Sequence, residues 1–147
     1  MKKRCNRRPV LVRPPPGLRK KLSADKLRDL SIAHNETLDA LARGGAGIDT
    51  LWHMVEAAYL WSYVAEVEQA GVPEMVEHLN LVRAVLDRYE RTGRVGFSGL
   101  EYQQARDGVA VMDQLAALTD QTTAESAALY SEAICDSLHA AQARAVA

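Results

Sequence analysis

The sequence predicts an all-α fold: an antiparallel bundle of about five helices behind an extended, basic, Arg/Pro-rich N-terminal arm. Three observations predict it. Apolar residues recur at three- and four-residue spacing from residue 24 onward, which is the helical period. Short glycine-bearing gaps, most followed by a capping residue, separate the periodic stretches. No run alternates at period two for long enough to make a strand. At 147 residues, 48% hydrophobic and 25% charged, the chain has the size and composition of one ordinary globular domain. Aromatics make up only 5%, so Leu, Val and Ala must fill most of the core.

The arm comes first and spans residues 1–22. Pro9, Pro14, Pro15 and Pro16 disfavour an α-helix there and favour extended or polyproline II backbone. Ser23 is then placed as the N-cap of a helix over 24–43, with Leu27, Leu30, His34, Leu38 and Leu41 as its inner stripe. Gly44 ends it in a left-handed cap. Asp49 is the expected cap of a second helix over 50–70, stopped by Gly71. Pro73 suits the first turn of a third helix over 73–92, whose stripe is Met75, Leu79, Val82, Leu86 and Tyr89 and whose stop is Gly93. Ser98-Gly99-Leu100-Glu101 has the form of a capping box and opens a fourth helix over 99–119. Thr122-Thr123-Ala124-Glu125 repeats that form and opens a fifth, to about 141. Gaps this short imply antiparallel neighbours.

The second helix is apolar nearly all round. Trp52, Tyr59 and Tyr63 fall on one side, Trp61 on the other, and Leu51, Val55, Leu60, Val64 and Val67 lie between. Such a helix is either central in its own bundle or part of a subunit interface. Trp52, Tyr59 and Tyr63 are accordingly the candidate protein interface, including a possible homodimer.

Charge divides the chain. Lys2, Lys3, Arg4, Arg7, Arg8, Arg13, Arg19, Lys20 and Lys21 place nine of the eighteen basic residues before position 22, with no acid among them. The remaining 126 residues, an acidic helical domain, hold the other nine and all nineteen acids, a formal −10. The net −1 therefore describes neither part. Nine cations on such an arm suit a polyphosphate, whose condensed counterions they release. The alternatives are an acidic partner surface, or the arm folding back on the protein's own acids. Pro, Val and Leu rather than aromatics interleave the cations, which argues against stacking on single-stranded bases. An acidic helical surface also resembles a phosphate field and suits an inhibitor that occupies a nucleic-acid site on another protein.

Signatures of chemistry are sparse. His53 with Glu56, and Glu74 with His78, are helical pairs, but neither has the spacing of a carboxylate-bridged di-iron bundle, and both read as solvent-facing. There is no H-E-x-x-H, no cysteine cluster and no nucleophile elbow. No metal, cofactor or catalytic residue is expected. Cys135, among Ala and Ile, reads as a small buried apolar residue. No apolar run is long enough to span a bilayer, and the start lacks the apolar stretch of an export signal. Two cysteines at opposite ends, Cys5 and Cys135, fit a reduced, cytoplasmic setting.

The stretch His34-Asn35-Glu36-Thr37-Leu38-Asp39-Ala40-Leu41-Ala42-Arg43-Gly44 resembles one block of a family of small helical proteins encoded by proteobacterial phages, prophages and plasmids. Arg91-Thr92-Gly93-Arg94-Val95-Gly96-Phe97-Ser98-Gly99-Leu100-Glu101 resembles a second block, and Met112-Asp113-Gln114-Leu115 falls where that family has an Asp-Gln-like pair. The resemblance implies a mobile-element origin and an accessory role in a bacterial host cell. The leading expectation is a non-catalytic interaction protein whose arm binds nucleic acid or an acidic partner. The alternative is an inhibitor of a host or defence protein, acting through the acidic body or the aromatic second helix. An enzyme of unknown type is the third reading.

Overall fold

A computed structural model describes residues 11–146, and these form five α-helices and one short 3₁₀ turn. The helices are α1 (Ala24–Ala42), α2 (Ile48–Glu68), α3 (Val72–Thr92), α4 (Gly99–Leu118) and α5 (Gln121–Val146). The all-α expectation holds, and among the described residues there is no named strand. No helix among them is long and apolar enough to cross a membrane.

Several boundaries follow from local chemistry. Ser23 caps α1 by accepting from the Lys26 N–H at 3.1 Å. At α4 the capping box is complete: Ser98 Oγ accepts from the Glu101 N–H, and Glu101 Oε1 accepts from the Ser98 N–H at 2.7 Å. Gly93, at φ 69°, closes α3 in the left-handed conformation that a residue with a Cβ resists.

Four boundaries differ from expectation, the simplest being that α5 runs on to Val146 instead of ending at about 141. Gly47, not Asp49, is the N-cap of α2, and Asp49 sits inside its first turn, beside the positive end of the helix. α2 ends at Glu68 with Gln69 in the left-handed region at φ 54°, so Gly71 is instead the N-cap of α3. The left-handed φ of 65° at Gly71 favours glycine, and a Cβ there would also press on Val111 Cγ1 at 3.0 Å. At α5 the cap is Asp120, which accepts from the Thr123 N–H at 2.8 Å and from Thr123 Oγ1 at 3.1 Å; the Thr122–Glu125 pattern falls inside the helix.

Side-chain pairs fix the antiparallel order. Ser31 and Tyr102 join α1 and α4 by reaching Asp113 and Asp39 respectively, so sequence rises on one helix as it falls on the other. Arg88 reaches Glu101 and His78 lies against Gly108, which does the same for α3 and α4. Trp52 meets His139, and Tyr63 meets Tyr130, along α2 and α5. α2 touches each of the other four helices and is the central element. Its Leu51, Val55, Ala58 and Val64 are fully enclosed and Trp61 nearly so, which is why this helix is apolar around most of its circumference.

Candidate functional site

Lys2, Lys3, Arg4, Arg7 and Arg8 of the arm, with Cys5 and Pro9, lie outside the described residues. The following stretch, residues 11–22, is a strap laid on the body. Pro16–Leu18 forms a 3₁₀ turn rather than continuous polyproline II, because Pro16 already holds the φ that its first position needs. Arg19 Nε donates to the Pro14 carbonyl at 2.9 Å and closes that turn.

The strap is fastened where α2 ends and α5 begins. Arg13 Nε donates to Asp120 Oδ2 at 2.8 Å, and its other arm pairs with Glu68. The Arg13, Glu68 and Asp120 side chains are 18%, 10% and 2% exposed. Thr119 Oγ1 donates to the same Glu68 carboxylate at 3.0 Å. The backbone of Lys21 pairs with Asp120 in an isolated antiparallel bridge, with the Gln121 N–H donating to the Lys20 carbonyl at 2.8 Å. Lys21 Nζ donates to the Leu118 carbonyl. Burial alone would raise the Asp120 carboxyl, but the Thr123 N–H and hydroxyl and the Arg13 guanidinium outweigh it and hold the group below its ordinary range.

In the described part of the arm, the alternative of folding back on the protein's own acids is realised at Arg13. Arg13 is already neutralised by the protein's own acids, and removing one partner of such a buried pair typically costs ~3–5 kcal/mol. Arg19 and Lys21 donate to backbone carbonyls, which orient them without neutralising their charge. Lys20 is exposed.

The predicted aromatic interface also divides. Tyr59 and Tyr63 are 9% and 6% exposed, packed inside the bundle, and are not a docking face. The cause is α5, which lies along that side of α2 and sets Tyr130 5.2 Å from Tyr63, centroid to centroid. Trp52 alone stays half-exposed, edge-on to His139.

Two histidines stand out among the buried polar groups. Trp61 Nε1–H donates to His34 Nε2 at 3.1 Å, so the His34 proton sits on Nδ1. That nitrogen faces Asp113 Oδ1 at 3.9 Å, too long for a hydrogen bond. Burial lowers the His34 pKa, and Asp113 opposes the shift. His34 also borders a cavity of about 200 Å³ with Thr37, His53, Met54 and Met112.

His78 was expected to face solvent with Glu74; instead it is 2% exposed, with neither ring nitrogen hydrogen-bonded. Its ring fills the place of a side chain on α4, since a Cβ built on Gly108 would lie 2.0 Å from His78 Nδ1. Burial, with His34 adding to it, pushes its pKa down to about 4. The sequence signal that marks this contact is Gly108 itself, a glycine inside a helix with no turn to explain it.

The remaining candidates give no chemical centre. No three His, Cys, Asp or Glu side chains cluster so as to hold a metal among the described residues. Burial first, then the Glu56 and Asp136 carboxylates, pushes the Cys135 thiol up to about 11, so it stays protonated and unreactive. Residues 34–44 and 91–101 hold helices together: His34 accepts from Trp61, and Arg88 donates to Gly96 O and to Glu101. Against known proteins, no family model, no curated protein and no solved structure matches the chain.

Proposed function

We propose that the protein is a non-catalytic binding protein whose leader engages a polyanion, nucleic acid above all, in the cytoplasm of a bacterial host. The observation that carries this reading is the division within the leader. Arg13 fixes the strap to Glu68 and Asp120, while Lys2, Lys3, Arg4, Arg7 and Arg8 precede it with no acid before Asp25. Cations so placed next to an anchored strap attach the ligand to a folded body without drawing on that body's own pairing. The resemblance of residues 34–44 and 91–101 supports an accessory role on a mobile element.

The test replaces those five cations with Ser in the full chain, leaving the strap intact. Fluorescence anisotropy with a labelled 20-base-pair duplex is expected to show binding by the parent and a loss of at least a hundredfold in the variant. Equal binding by both proteins overturns the proposal.

A further inference from the structure

Trp52 is half-exposed, and the side chains around it are unlike the rest of the body. α2 carries Asp49, Trp52, His53 and Glu56 on one stripe, at offsets of three, four and seven. Cys135 and His139 of α5, one turn apart, face that stripe across a groove of about 440 Å³. His139 stands against Trp52 with ring centroids 3.8 Å apart and makes the indole a fixed wall.

No Lys or Arg lines the groove. Neither Asp49 nor Glu56 has an ion-pair or hydrogen-bond partner among the described residues, although Glu56 is half-buried. The same negative field reaches Cys135, whose thiol Glu56 and Asp136 help to keep protonated. Asp49, His53 and His139 are exposed and leave the groove open to solvent. An open trough suits an extended segment better than an enclosed small molecule.

We infer that this α2–α5 groove docks an arginine- or lysine-bearing peptide segment of a partner protein. The cation rests on the Trp52 indole, the aromatic surface that attracts cations most strongly, and Asp49 and Glu56 supply the countercharge. The groove lies at the Asp49 end of α2, whereas Arg13 fastens the strap at the Glu68 end. Failure of one reading leaves the other standing.

The experiment measures the anisotropy of a dye-labelled tetra-arginine peptide titrated with the full chain at physiological salt, with a tetra-citrulline peptide as the uncharged control. Saturable one-to-one binding of the arginine peptide alone is expected. Trp52→Leu, and separately Asp49→Asn with Glu56→Gln, each weaken it at least tenfold. Glu74→Gln with Glu77→Gln, which removes two acids from the α3–α4 groove, changes it less than twofold. The inference is overturned if the α3 pair matters as much as the α2 pair, because binding is then general acidity. It is equally overturned if Trp52→Leu binds like the parent. Light scattering completes the test: a concentration-dependent dimer that Trp52→Leu abolishes assigns the groove to a second copy and overturns the partner reading.

Discussion

At the scale of single residues the largest departure from ordinary protein chemistry is His78. Burying a polar group without a partner typically costs about 1–3 kcal/mol, and this ring leaves both nitrogens so placed. What holds it is shape, because Gly108 yields the volume the imidazole occupies. Gly108→Ala is therefore expected to overpack the seam and destabilise by ~1–3 kcal/mol in urea unfolding. The same change in a His78→Ala background should cost less than half as much, since the obstructing ring is gone. The histidine also imposes a pH dependence. A folded pKa of about 4, below the ordinary histidine value of 6.5, means that the unfolded chain takes up the proton more readily. His78's contribution is then complete above the unfolded value and is lost as pH falls toward the folded one. Between pH 7 and pH 4, His78→Leu should gain on the parent by roughly 3 kcal/mol. A difference that stays constant over that range would show that the ring is not held neutral by burial.

At the scale of elements, helix ends were legible where both partners of a contact lie within one turn. Ser23, Gly93 and the Ser98–Glu101 box announce themselves because a cap bonds to the residue three or four positions away. α5 shows where such reading stops. Thr122 and Glu125 have the spacing of a cap, yet Asp120 won the position because it is also the landing point of Arg13, which is distant in sequence by 107 residues. Nothing local to residue 120 predicts that partner, just as nothing local to His78 reveals Gly108. Amphipathic spacing located the helices but not the pairings between them, so the candidate site was legible in charge and illegible in geometry. The two caps at α5 are separable by mutation. Thr122→Ala should change stability by less than about 0.5 kcal/mol, as ordinary partly exposed substitutions do. Asp120→Ala removes a cap, usually worth ~1 kcal/mol, and also strips Arg13 of a buried partner. A loss of ~3 kcal/mol or more is expected from thermal or urea unfolding, and equal effects of the two substitutions would return the cap to Thr122.

At the scale of the whole molecule, the folded strap alters how many charges the protein brings to a polyanion. The sequence counts nine cations before residue 22. Arg13 is held by Glu68 and Asp120, and Arg19 and Lys21 donate to carbonyls of the protein itself. A carbonyl neutralises no charge, so ion pairing withdraws Arg13 alone, and Lys2, Lys3, Arg4, Arg7, Arg8, Arg19, Lys20 and Lys21 remain to meet phosphates. Counterion release turns this difference into a number. The logarithm of affinity for duplex DNA falls with the logarithm of salt concentration at a slope of about −0.9 per phosphate neutralised. Nine free cations correspond to a slope of about −8, and eight to about −7. Because Arg13 leaves two buried carboxylates unpaired if it departs, the lower figure is the expected one for the full chain. Lys20→Ser should then lower the slope by about one, whereas Arg13→Gln should leave it unchanged while weakening the fold. A measured slope near −8 would mean that the ligand peels the strap away from Glu68 and Asp120, with its charge repaying the broken corner.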